Sequence, residues 1–200
     1  MKTGVIIQAR TNSQRFPNKV LADLHGSPVI QHVIDRCLQF APLSRAKVIL
    51  AVPYSDSGKF TDFGVPVHYG SEHDVLERYY RAAQAYGLDV IVRITGDCPL
   101  LCPELCHQTI ELFHSGGCDL AAIDWPMGGW PKGLGCEVFS FRALSFADCF
   151  ARRRYHREHV TPWLYDNVRV KRLDNDTDES HLNLCVDTPE DLERLRQFKL

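Results

Sequence analysis

Arg10, Arg15 and Lys19 lie in the stretch QARTNSQRFPNKVL, directly behind the apolar run GVII, with no acidic residue before Asp23. Fixed cations, the hydroxyls of Thr11 and Ser13 and the N–H groups of a loop can together cradle a polyphosphate. Asn12 and Asn18 are the non-glycine residues best suited to left-handed turns. A solvated connection with ordinary surface cations fits the same residues, and the stretch is neither a GxxxxGK[ST] nor a GxGxxG loop. Two carboxylates sit in comparable places. Asp97, in RITGDCP, follows an apolar run that Gly96 and Pro99 bring to an end. Asp187, in LCVDTPEDL, precedes Pro189; Thr188 then becomes a helix N-cap and Asp191 its capping-box partner, so Asp187 is not needed as a cap. Carboxylates so placed can hold Mg²⁺ through oxygen and bridge to phosphates. Each also suits a turn aspartate bonded to its own backbone.

The elements that must position these groups alternate in period. GVIIQA, AKVILAV, VPVHYG and DVIVRITGD read as strands. PVIQHVIDRCLQF, SEHDVLERYYRAAQAYG and PELCHQTIELFHSGG read as helices between or after them. Ser71, with Asp74 three residues on, is the N-cap pattern of the second helix, and Gly87 closes it. DLAAID and CEVFSF are strands around the irregular loop WPMGGWPKGLG. Helices over FRALSFADCFAR and REHVTPWLYD follow, then strands RVKRL and HLNLCV and a last helix PEDLERLRQF. This order predicts a three-layer α/β/α fold with a mainly parallel sheet, in which ligands bind beyond the carboxyl ends of the strands. No linker or repeat marks a boundary, so one domain over 1–200 is expected.

Two hundred residues, 44% of them hydrophobic, suffice for one well-buried α/β core. A net charge of −2 provides no global basic field, so anion binding must be local and nucleic acid is not an expected partner. The start MKTGVIIQAR is no signal peptide and no stretch approaches the ~18 apolar residues of a membrane span, so a cytoplasmic protein is expected. Eight cysteines raise the question of zinc. Cys98, Cys102 and Cys106 fall at i, i+4 and i+8 beside His107, but Pro99 and Pro103 interrupt the helix that would stack them. No pair has CxxC spacing, which favours buried free thiols over a metal site or disulfides.

In order along residues 4 to 196, IIQARTNSQRFPNKVL, LERYYRAA, VRITGDCPL, PKGLGCEVFSF, REHVTPWLY and VDTPEDLERLR resemble the SpsF-type spore-coat polysaccharide proteins. Those belong to the cytidylyltransferases that include the CMP-sialate and CMP-KDO synthetases. The resemblance implies a nucleotide-diphosphosugar-transferase (Rossmann-like) fold, and transfer of CMP from CTP, with Mg²⁺, to an acidic sugar with release of pyrophosphate. Matching positions imply that Arg10, Ser13, Arg15 and Lys19 lie along the CTP phosphates and that the main chain near Ala9 and Arg10 reads the base. They imply that Asp74 and Arg78 flank the nucleotide and that Asp97 and Asp187 hold the metal. Lys132, Glu137, Arg157, Glu158 and His159 would face the second substrate, and a homodimer is in keeping with the family. Departures are Asn12 and Asn18 where glycines are usual, Phe16 for Leu, Gly135 where an acid is common, and Cys102 in place of a capping Asp or Ser.

The chemistry is coherent: transfer at phosphorus needs in-line positioning and charge neutralisation rather than a covalent nucleophile. The proton of the attacking hydroxyl could leave to a base such as His159 or through the metal. A non-catalytic, accessory nucleotide- or sugar-binding protein is the competing reading, and a glycosyltransferase would instead show a DxD-like motif. RRRYHREH could carry an anionic-sugar site or a solvated face. Trp125 and Trp130 flank a loop that could close over a sugar or form a subunit contact.

Overall fold

The run TGVIIQ forms β1 (Thr3–Gln8). Its alternation divides the core: Val5 and Ile7 enter one buried cluster and Ile6 the other, as the two-residue period of a strand requires. The computed structural model describes residues 1–43, 46–123 and 126–198; Trp125 lies outside them. Beyond the cationic loop, β2 (Asp23–Leu24) and β3 (Ser27–Pro28) form a small hairpin. His25 and Gly26 turn it with φ of 53° and 85°, the two positive φ values of a tight hairpin. The remaining strands are β4 (Lys47–Pro53), β5 (Val67–Gly70), β6 (Val90–Thr95), β7 (Leu120–Ala122), β8 (Glu137–Ser140) and β9 (Val170–Arg172). They join β1 in a seven-stranded sheet of order β5-β4-β1-β6-β8-β7-β9. The first four are parallel; β8 alone runs against its neighbours β6 and β7.

The helices are α1 (Val29–Phe40), α2 (Val75–Tyr86), α3 (Pro103–His114), α4 (Phe141–Phe150), α5 (Arg154–His159), α6 (Pro162–Asn167) and α7 (Pro189–Leu195). Val33, Ile34 and Cys37 of α1 and Cys106, Ile110 and Phe113 of α3 cover one face of the sheet. Leu76 and Tyr79 of α2, Leu144 and Ala147 of α4 and Leu164 of α6 cover the other. The mostly parallel sheet between two helical layers is the expected fold. Leu192 and Leu195 of α7 close a third cluster with Leu24, Val29 and Val186, so the hairpin and the last helix cap one end together.

Three local readings change. HLNLCV is not a strand but a segment stitched across the strand ends. Leu184 N–H donates to Lys132 O (2.8 Å) and Val186 N–H to Asp97 O (2.8 Å). REHVTPWLYD is broken into α5 and α6 at Val160, whose φ of 70° and ψ of −61° no helix accommodates. The N-cap of α2 moves from Ser71 to Asp74, which accepts from Glu77 N–H at 2.9 Å, while Ser71 Oγ accepts from Asp74 N–H at 3.0 Å. The zinc-like series is divided: Cys98 and Cys106 are buried at separate places, and Cys102 ends a loop as an N-cap without a side-chain bond. Among the described residues no helix is long and apolar enough to cross a membrane.

Candidate active site

The cationic loop is shaped by contacts inside itself. Thr11 is 5% exposed, and both its N–H (2.8 Å) and its hydroxyl donate to the Asp56 carboxylate. That hydroxyl therefore pins the loop to the β4 exit and is not presented to a ligand. Asn18 N–H donates to Thr11 O at 2.8 Å, and Asn18 takes the left-handed conformation at φ 59°. Asn12 does not; its amide donates to Glu72 at 2.8 Å. The left-handed Asn18 turns the chain so that Lys19 opens a 3-10 turn with its side chain directed across the strand ends.

Lys19 Nζ donates to Asp97 at 2.6 Å and to Asp187 at 3.0 Å. Lys132 Nζ donates to the other Asp187 oxygen at 2.9 Å, and Arg15 approaches Asp187 at 3.0 Å. Residues 15, 19, 97, 132 and 187 thus form one cluster. Burial alone would raise the Asp187 carboxyl; hydrogen bonds and charge from Lys132 and Lys19 outweigh it and hold the group at about 2. Burial would lower Lys19, but Asp97 and then Asp187 push it above its ordinary value. Gly96 is required beside Asp97, because a Cβ there would lie 2.9 Å from Gln8 O and 2.8 Å from Ile30 Cδ1. On the other flank the Thr188–Asp191 capping box forms, and Asp191 also accepts from Asp187 N–H at 3.0 Å. Asp187 is therefore held by its backbone, with its carboxylate turned to the cations.

A cavity of about 700 Å³ opens beside the cluster, lined by Lys132, Glu137, Arg93, Thr95, Tyr155 and His159 among others. The thiols of Cys98 and Cys185, 3.1 Å apart, also reach it. Gly135 is explained here: a Cβ would come within 2.5 Å of Ile123 Cβ, so the wall leaves no room for an acid. His159 ends α5 just before the γ-turn at Val160, closed by Thr161 N–H donating to His159 O at 2.9 Å. That positive-φ turn is rare and strained, most of all for a β-branched residue. Desolvation by the cavity wall lowers the His159 imidazole below its ordinary value; Glu158 opposes this and Arg93 and Arg10 reinforce it.

Other candidates stand apart from the cluster. Arg157 does not reach the cavity: it binds Asp74 at 2.6 Å and Asp148 at 2.7 Å, clamping α5 to α2 and α4. Asp74 is thereby committed to a cap and an ion pair. Arg78 is 1% exposed, donates to Ser71 O at 2.7 Å, and is lowered by burial to about 10. It lies under the 71–74 segment rather than along it. Ala9 is buried and its N–H donates to Ala51 O at 3.2 Å. Arg10 lies 3.8 Å from Glu158, and Ser13 is half-buried in the loop. The sequence reading omits Asp56, whose role depends on a contact 45 residues away, and Arg93. For Arg93 a signal existed: a single cation inside the apolar strand DVIVRIT.

A cationic loop and two carboxylates at the strand exits of a mostly parallel sheet, opening on a cavity, make the arrangement of a nucleotidyltransferase. Residues 4–200 match the family described as Cytidylyltransferase. The spore coat polysaccharide biosynthesis protein SpsF of Bacillus subtilis is 30% identical over 206 aligned positions, covering 96% of this chain and 83% of that one. A 3-deoxy-manno-octulosonate cytidylyltransferase of Trichlorobacter lovleyi is 35% identical over 56% of this chain and 45% of its own. The solved structure of a cytidylyltransferase from Leptospira borgpetersenii superposes with a TM-score of 0.88 at 29% identity, covering 98% of this chain and 85% of that one. The chain belongs to the cytidylyltransferase family.

Proposed function

We propose that this protein transfers CMP from CTP to a hydroxyl of an acidic sugar, with Mg²⁺, releasing pyrophosphate. The observation that carries the reading is the convergence of Arg15, Lys19 and Lys132 on Asp97 and Asp187. One ammonium touches both carboxylates, so both reach a common point between the exit of β6 and the start of α7. A divalent cation suits that point: the donors are hard carboxylate oxygens, and Asp187 is ionised at any working pH. An ion held by these two carboxylates would take its remaining oxygen ligands from nucleotide phosphates and water. Bound there, Mg²⁺ would neutralise charge on the α-phosphate.

The remaining steps belong to the chain. Arg15 and Lys19, on a loop anchored through Thr11 and Asp56, exchange carboxylate partners for phosphate oxygens and neutralise the departing pyrophosphate. The acceptor's hydroxyl oxygen bonds to the α-phosphorus, the bond to the β-phosphate oxygen breaks, and the hydroxyl proton passes to a base. His159 suits this last role: it lines the cavity, and its lowered pKa keeps it neutral near pH 7. An acidic acceptor is supported by Lys132 and Arg153 in the cavity wall and by the octulosonate substrate in the name of one relative.

The test is pyrophosphate release with CTP, Mg²⁺ and a panel of 2-keto sugar acids. Wild type should release pyrophosphate with at least one acceptor. Asp97→Asn should lower the rate on the order of 10²–10³-fold, the scale of losing one electrostatic stabiliser, with the folded state retained by circular dichroism. CTP binding without release from any acceptor would overturn the transferase reading, and full activity of Asp97→Asn would overturn the metal assignment.

A further inference from the structure

The floor of the cavity holds an ion pair that neither the phosphates nor the metal needs. Arg93 of β6 and Glu137 of β8 are directly opposed in the antiparallel register, and Arg93 Nη1 donates to Glu137 Oε2. Each side chain is 14% exposed and lines the cavity. Arg93 Nε is buried without a hydrogen-bond partner among the described residues. That inner nitrogen is closed off from the cavity, and it is the outer part of the pair, the rest of the guanidinium and a carboxylate with acceptor capacity left, that lines the wall.

Position and charge indicate what the pair meets. Arg93 precedes Asp97 by four residues, about 13 Å of extended chain, with Thr95 lining the wall between them. On the transferase reading, the acceptor's reacting hydroxyl must lie at the Asp97–Asp187 end. An acid group next to that hydroxyl would lie there too, beside Lys132. The pair therefore faces the remote end of the acceptor. Being neutral as a unit, it favours a group that donates and accepts at once: a hydroxyl can donate to Glu137 while accepting from an outer N–H of the Arg93 guanidinium. An anion there would face Glu137 and a cation Arg93.

We infer that Arg93 and Glu137 form a subsite that selects acceptors by a hydroxylated tail remote from the reacting hydroxyl. This rests on the transferase reading above. The test is the ratio of kcat/KM between long and short members of a series of 2-keto-3-deoxy sugar acids of six to nine carbons. Each added carbon extends the hydroxylated tail. For wild type the ratio should be on the order of tenfold to a hundredfold, the scale of hydrogen bonds to charged groups. Removing one partner would strand a buried charge, so the informative variant is Arg93→Met with Glu137→Leu, an apolar replacement that folds generally tolerate. Its ratio should fall to near one, carried by KM. A merely structural pair would lower all acceptors alike and leave the ratio intact. Turnover by wild type without length preference, or an undiminished ratio in the double variant, overturns the inference alone. No pyrophosphate release across the series overturns it together with the transferase reading.

Discussion

Replacing Asp187 by Asn removes one charge from the centre of the cluster, and the structure sets both the size and the pH dependence of the loss. The carboxyl is held at about 2 against an ordinary 3.8. At 1.36 kcal/mol per pKa unit this bounds the folded-state stabilisation at about 2 kcal/mol. Arg15 is 66% exposed, so solvent screens its share, and about 1–2 kcal/mol is the expected deficit of Asp187→Asn at pH 7. The folded pKa is depressed, so the contribution is complete above the unfolded pKa near 4 and disappears as pH falls through about 2. Urea unfolding of both proteins between pH 7 and pH 2 measures this directly. The gap should hold constant from pH 7 to about 5, narrow below 4 and close near 2. A gap of the same size at every pH would refute the reasoning, since it would mean that the carboxylate acts through packing alone. No gap at pH 7 would refute it as well, since the three cations would then be idle partners.

Two further outcomes follow from the same contacts. Lys19→Met should weaken CTP on the order of tenfold to a hundredfold and CMP only a few-fold, by titration calorimetry; equal losses would move Lys19 away from the terminal phosphates. Arg157→Ala should lower stability by about 2 kcal/mol, seen as a fall of roughly 4–8 °C in melting temperature, because Asp74 and Asp148 lose a shared partner. An unchanged melting temperature would show that the clamp holds nothing.

Much of this was legible because local chemistry and global position agreed. The apolar β-branched runs became the sheet, and Thr188, Pro189 and Asp191 formed the capping box that frees Asp187. Lys19 and Asp97 could be named from their places after strands, and Asp187 from its place before the capping box, although the run that precedes it is not a strand. What could not be read was distance across the chain. That Lys19 bridges Asp97 and Asp187, 78 and 168 residues away, follows from strand order, and strand order is set by tertiary packing. The same ignorance misplaced Arg157, which looks from sequence like a surface cation available to a ligand and is spent on Asp74. It also concealed the His25–Gly26 hairpin, whose two-residue strands are too short to show a period.

Among the described residues three other than glycine take a positive φ, and two of them, Asn18 and Val160, fall beside the groups that would do the chemistry. Asn18 accepts a left-handed turn immediately before Lys19, and Val160 accepts a strained γ-turn immediately after His159. Neither conformation is what a β-period or helix-period reading would assign, and for Val160 it is among the least favourable available. Strain of this kind persists only where surrounding structure holds it. Val160 is fully buried in the α2–α4–α6 cluster, and the Asn18 turn is tied through Thr11 to Asp56. In both cases packing fixes an unfavourable backbone and the neighbouring side chain is delivered to the cavity or the carboxylates. Asparagine at position 18 therefore meets the geometric demand for φ of 59° while losing less conformational freedom on folding than glycine would.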